Sequence, residues 1–369
     1  MIPGLADPAI LSSKDEEWRP FVVTVFATLI ATLLGFYGFT LALDPFGIRV
    51  VAGGRPAPLM DVNQRFMYPQ VVRSGRYDGA IFGTSTMRLV DPAKLGPAFG
   101  TRLANLSMNA ATPWEQIQLA ELMLREVATP KLMVFGLDHT WCAADAADPD
   151  KRTTFRAFPP WLYNDNRLAM VPHVFNLTSL EIAGRVLMNR LGLAKPRMRP
   201  DGYGVFTPPD IRYDLRQAQA HIWEGGPPRR IEPVAPTTVL SQVEKAGLRL
   251  PAIEWLREIV ARIPADTRLL LVFPPIHVVV QPRPGSPAAA ADGACKERAI
   301  DLALSHPKAI AVDFRRPSAI TTEDANYWDN LHYRERVAER VVQDIVEAAR
   351  TGKSAADGTY AVVANRPGL

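Results

Sequence analysis

Residues 77–88 read YDGAIFGTSTMR. Tyr77 to Phe82 is a short strand of the buried kind, apolar once past its first three residues. It runs straight into Gly83-Thr84-Ser85. Glycine permits a tight turn there, and a serine opening the next helical segment sits where free backbone N–H groups point outward. Strand, turn and helix start form the repeating unit of an α/β protein.

The same rhythm continues outward from this stretch. Residues 102–106 (RLANL) are a second strand. Pro113 to Val127 is a helix, with Thr112 as its cap, Pro113 in the first turn, and Ile117, Ala120, Leu124 and Val127 at helical spacing. Residues 131–137 (KLMVFGL) are a third strand, apolar almost throughout as a parallel core strand should be. The rhythm breaks over residues 140–250, which hold a helix at 177–191 and the run GGPPRRIEP. This segment is expected to be an insertion over the sheet or a small subdomain. A helix at 251–263, a strand at 267–273, a helix around 294–305, a strand at 309–314 and a helix at 334–350 complete the pattern. Strands separated by helices predict an α/β fold, a parallel sheet sandwiched by helices, with its site at the carboxyl ends of the strands. Residues 351–369 read as a disordered tail.

Upstream lies a different signal. Phe21 to Leu43, FVVTVFATLIATLLGFYGFTLAL, carries no charge. At about 1.5 Å per residue it spans about 34 Å, enough to cross a hydrocarbon core of about 30 Å. It is too long for the apolar region of a signal peptide, and no small-x-small cleavage site follows it. Asp44-Pro45 stops it, while Trp18, Tyr37 and Phe46 suit the two interfaces. The expected organisation is a polar leader (1–20), a transmembrane helix (21–43), a connector (44–76) and an α/β domain (77–350). The lipid bilayer is thereby an expected partner. Lys14 and Arg19 before the helix, and Arg49, Arg55 and Arg65 after it, leave its orientation undecided.

Composition narrows the function. The 369 residues are 47% hydrophobic and 22% charged, which allows a sizeable core. A net charge of +4 and no basic patch interleaved with aromatics give no case for nucleic acid. The 33 prolines gather in 196–236 and 274–287, which read as long ordered loops. Cys142 and Cys295 are the two cysteines, and the sequence leaves open a bridge or two buried thiols. No CxxC or HExxH motif is present, so neither a metal nor a cofactor is expected.

Two segments carry side chains suited to chemistry. One is Gly83-Thr84-Ser85-Thr86-Met87-Arg88; the other is Tyr327-Trp328-Asp329-Asn330-Leu331-His332-Tyr333, just before the last helix. Asp329 and His332 are three apart, which lets the carboxylate fix the imidazole tautomer and frees the other ring nitrogen to take a proton from a serine. Arg88, about one turn after Ser85, is a candidate for an anionic substrate group. His277, after Pro274-Pro275-Ile276 at a strand end, is a candidate to line the cleft.

The order of the two blocks, GTS after the first strand and DNLH before the last helix, resembles the SGNH/GDSL hydrolase superfamily. The lead-in YDGAIFGTS and the later NLSMNAATPWE look like its membrane-anchored, cell-envelope members. The likeness covers roughly 77–140 and 265–350. It implies Ser85 as nucleophile, His332 as base, Asp329 as its orienting partner, and the backbone N–H groups of Ser85 and Ala110 as oxyanion donors. Where the family offers a second-block glycine, this chain has Asn109-Ala110; where it offers a third-block asparagine, this chain reads Gly136-Leu137-Asp138-His139. An ionised Asp138 would repel an oxyanion, so Asp138 is expected to orient another group or bind substrate. Asn105 and Asn109 are candidates for the missing amide donor. The resemblance implies an esterase or O-acyltransferase acting on an acylated envelope glycan, held in the inner membrane by one span with its domain periplasmic. The rival expectation is a catalytically silent protein of this fold that partners a polytopic membrane acyltransferase or a polysaccharide export system.

Overall fold

The computed structural model describes residues 8–49 and 57–366; residues 1–7 of the expected leader, 50–56 of the connector and 367–369 of the expected tail lie outside the described residues. The chain begins with the long helix α1 (Pro8–Leu43), followed by α2 (Gln64–Arg73). Strand β1 (Gly79–Phe82), α3 (Pro92–Leu95), β2 (Leu103–Asn105), α4 (Pro113–Glu126) and β3 (Leu132–Gly136) come next. The irregular stretch after β3 holds α5 (Arg167–Met170), α6 (Leu177–Arg190), α7 (Leu215–Ile222) and α8 (Gln242–Gly247). Regular alternation resumes with α9 (Pro251–Arg262), β4 (Arg268–Phe273), α10 (Pro287–Ser305), β5 (Ala309–Asp313), α11 (Glu335–Thr351) and β6 (Ala361–Asn365).

The six strands form one sheet in the order β2-β1-β3-β4-β5-β6. All neighbours are parallel except β5 and β6. Successive strand residues point to opposite faces. Phe82, Met133, Phe135, Leu269 and Leu271 therefore pack in a core with α2, α4, α9 and α10. Ile81, Val134, Leu270, Val272 and Val312 pack in a second core with α3 and α11. Helices on both faces explain why the strands read as unbroken apolar runs. The chain leaves β1 for β2 on one side and returns to β3 on the other, so a crevice opens at the carboxyl ends of β1 and β3.

Three expectations need correction. The tail is not disordered over its described length: Gly352, at φ +64, closes α11 in the left-handed region, and Ala361–Asn365 pair with β5. The apolar run AVVAN covers an edge that would otherwise stand open. The long helix starts at Pro8, well before the apolar stretch, because the leader beyond it is rich in helix formers. Nor does it stand apart from the domain with its side chains exposed all round, as is expected of a lone membrane-spanning helix. Trp18 to Phe36 are exposed, whereas Thr40 and Leu43 are buried and Tyr37, Phe39 and Leu41 pack against the domain core. By length and composition Trp18–Leu43 is a candidate membrane span or signal sequence.

Cys142, in the turn after β3, is bonded to Cys295 of α10, across 153 residues of chain. The bond fastens one wall of the crevice to a helix on the sheet. Closing so long a loop removes much unfolded-state freedom, so reduction is expected to lower stability by about 2–5 kcal/mol. Urea unfolding with and without reductant measures it; an unchanged midpoint would mean the bond contributes nothing.

Candidate active site

Gly83 sets the geometry after β1. A Cβ there would stand 2.8 Å from Met87, and one on Gly136 at the end of β3 would stand 2.2 Å from it. The two glycines let Met87 sink between the strand ends, and this presents Ser85 at the rim. Thr84 caps the short turn Ser85–Met87 with its side chain, and Tyr333 donates its buried hydroxyl to the Thr86 carbonyl. That bond ties the serine turn to the loop 327–334.

The same loop carries the histidine. A backbone bridge between Tyr327 and Tyr333, and a bond from Trp328 N to the His332 carbonyl at 2.9 Å, close it on itself. Asp329 Oδ1 accepts the backbone N–H groups of Leu331 at 2.8 Å and His332 at 2.7 Å, while its Oδ2 lies 2.7 Å from His332 Nδ1. His332 Nε2 lies 2.8 Å from Ser85 Oγ. Burial alone would raise the Asp329 carboxyl, but the bonds from His332 and the backbone outweigh it and hold it below the ordinary carboxylate value. An ionised Asp329 requires the proton on Nδ1. Nε2 is then the acceptor for the Ser85 hydroxyl. Phe206, from the irregular segment, meets the His332 ring edge-on at 5.2 Å.

Ser85 and His332 open onto a cleft of about 450 Å³, lined also by Ala110, Asp138, His139, Lys151 and Thr154. Ala110 adopts φ +50, and neither its backbone N–H nor that of Ser85 has a hydrogen-bond acceptor among the described residues. Arg65 fixes the Ala110 loop. It is fully buried, bonds Glu115 through Nε at 2.7 Å, and donates to the carbonyls of Asn109 at 3.2 Å and Ala110 at 3.3 Å. In a trans peptide C=O and N–H point opposite ways. Holding the Asn109 carbonyl therefore turns the Ala110 N–H away from Arg65. The arrangement offers a hydroxyl nucleophile, a base of fixed tautomer and two free donors around one cleft, the set that acyl transfer needs.

The structure places four candidates outside the lining of the cleft. Asn105 gives its amide to the carbonyls of Met87 at 2.9 Å and Val90 at 2.8 Å, so it staples the serine turn instead of facing the cleft. Arg88 is buried; it donates to Asn109 Oδ1 at 2.9 Å and to the Gly204 carbonyl at 3.4 Å, and lies over the Phe206 ring. Asn109 is its acceptor and does not line the cleft. His277 is fully buried, with Nε2 3.0 Å from Asp324 and Nδ1 accepting Val279 N–H at 3.2 Å. Asp138 does line the cleft, but its Oδ1 accepts both the N–H and the hydroxyl of Thr140 and caps the following turn. The sequence assigns no site role to Arg65, Glu115 or Tyr333; the one local signal is the capping box Thr112–Glu115.

Burial, only partly offset by Asp324, lowers the His277 pKa from its ordinary 6.5. The fold therefore holds it neutral. Its stabilising effect is complete above 6.5 and is lost as pH falls from there toward the folded value. His306, buried likewise, acts in the same direction. Urea midpoints are expected to be flat on this account above 6.5 and to fall below it, with a shallower fall in His277→Gln. An identical fall in the variant would remove His277 as a cause.

Comparison with protein-family models and with curated proteins finds no match for this chain.

Proposed function

We propose that this protein is a membrane-anchored serine ester hydrolase or O-acyltransferase of SGNH type. The observation that carries the reading is the Ser85–His332–Asp329 chain of hydrogen bonds at a cleft. Ser85 Oγ attacks an ester carbonyl and passes its proton to His332 Nε2. The N–H groups of Ser85 and Ala110 receive the oxyanion. His332 then protonates the departing alcohol, leaving an acyl group on Ser85. Water, or an acceptor hydroxyl in the transferase case, gives its proton to His332 and takes the acyl group, and His332 returns that proton to Ser85 Oγ as the acyl–oxygen bond breaks. The test is labelling by a fluorophosphonate, in the wild type and in Ser85→Ala. No labelling of the wild type would favour a silent accessory protein that partners a membrane acyltransferase or polysaccharide exporter.

We also propose that α1 crosses the inner membrane and that the domain lies on the periplasmic side, where an O-acylated envelope glycan would be its substrate. The Cys142–Cys295 bond supports this side, since such bonds persist in oxidising compartments. Alkylating thiols in freshly lysed cells, before and after reduction, tests it. Both cysteines should react only after reduction; free thiols would put the domain in the cytoplasm.

A further inference from the structure

The junction between α1 and the domain is not a tether. Phe46 and Ile48, directly after the helix, are buried, and Arg190 of α6 donates to the Leu43 carbonyl at 3.2 Å. Lower on the helix, Tyr37 donates to the Val171 carbonyl at 3.0 Å and meets the Phe175 ring edge-on at 5.6 Å. The segment Arg167–Leu177 thus forms a lip against α1. Two apolar grooves flank the contact. One, of about 410 Å³, lies between Ile30, Leu33, Leu34 and Tyr37 on the helix and Pro172 and Phe175 on the lip. The other, of about 270 Å³, lies between Leu33, Phe36 and Thr40 and the start of α6.

Each groove has one wall on the apolar helix and one on the domain. Lipid against the first wall is lipid against the second. Depth along the helix agrees: Trp18 and Tyr37 stand about 28 Å apart at about 1.5 Å per residue, close to a hydrocarbon core of about 30 Å with an aromatic at each interface. The lip lies at the level of Tyr37. It also exposes Leu168 at 81%, Phe175 at 52% and Leu177 at 84%, a large cost in water that an interface removes.

We propose that the lip Arg167–Leu177 is a second membrane contact, with Leu168, Phe175 and Leu177 entering the bilayer interface beside α1 and acyl chains filling the two grooves. Two attachments, one spanning and one interfacial, fix the domain's tilt and rotation on the membrane, so the cleft is held at a constant height. The inference rests on α1 spanning a bilayer.

The test uses the full chain in nanodiscs of phosphatidylcholine and phosphatidylglycerol. The native cysteines are paired with each other, so a single added cysteine can carry a nitroxide. Labels go at Leu168→Cys and Leu177→Cys, with Ile30→Cys on the helix and Ile211→Cys, 93% exposed, as references. Collision with oxygen against a water-soluble nickel chelate reports the surroundings. Both lip sites are expected to read between the two references, below Ile30, which lies about 10 Å deeper along the helix, but with an oxygen-to-nickel ratio several-fold above that of Ile211. Lip sites that match Ile211 while Ile30 reads as lipid would overturn the inference alone. Lip sites shielded from both reagents would overturn it in favour of a protein partner. An aqueous reading at Ile30 would remove the spanning helix and the lip contact together.

Discussion

Replacing Ser85 with alanine is expected to abolish fluorophosphonate labelling and to lower turnover of a model ester by on the order of 10⁴–10⁶. In the proposed mechanism the variant deletes the attacking oxygen and leaves His332 and Asp329 in place. His332→Ala should cost about as much, because in that mechanism base and nucleophile act as one unit and their losses do not add. A double variant no slower than either single one is the signature of that unit. Folding is not at issue, since Ser85 is only half-buried and its turn is held by Thr84, Asn105 and Tyr333. Unchanged labelling in Ser85→Ala would mean that the probe reacts elsewhere and that the Ser85–His332 bond is structural.

The second large effect concerns Arg65 and Glu115, a fully buried ion pair. Arg65→Met is expected to lower stability by about 3–5 kcal/mol, because Glu115 is left as an uncompensated buried charge. It also frees the carbonyls of Asn109 and Ala110. Arg65→Met with Glu115→Gln separates the two consequences. Glutamine keeps an acceptor for Thr112 N–H and carries no charge, so stability should return to within about 1–2 kcal/mol of wild type. Labelling should stay slower, by up to about 10²–10³ if the Ala110 donor is lost outright. Urea midpoints and labelling rates measure the two terms. Wild-type labelling in the double variant would show that the Ala110 peptide does not depend on Arg65.

The sequence by itself determined the alternating strands and helices from 77 to 350 and the kinds of side chain at the site. The apolar runs at 79–82, 132–136 and 268–273, and the caps and periodicity of the helices between them, depend on near neighbours along the chain. So does the reach from Asp329 to His332, three residues apart. The meeting of His332 with Ser85 spans 247 residues and follows from strand order, which no local pattern encodes. The roles of the polar candidates were likewise decided by the tertiary structure. Asn105, Arg88 and His277 are chemically able to face a substrate, but each is buried with partners from other segments, and a buried polar group must spend its hydrogen bonds where it lies. The final strand, the paired cysteines and the docking of Tyr37 on the lip have the same origin. An edge strand forms because β5 is beside it, a bond because two sulfurs converge, and an apolar helix end is buried only where the fold brings a surface to cover it.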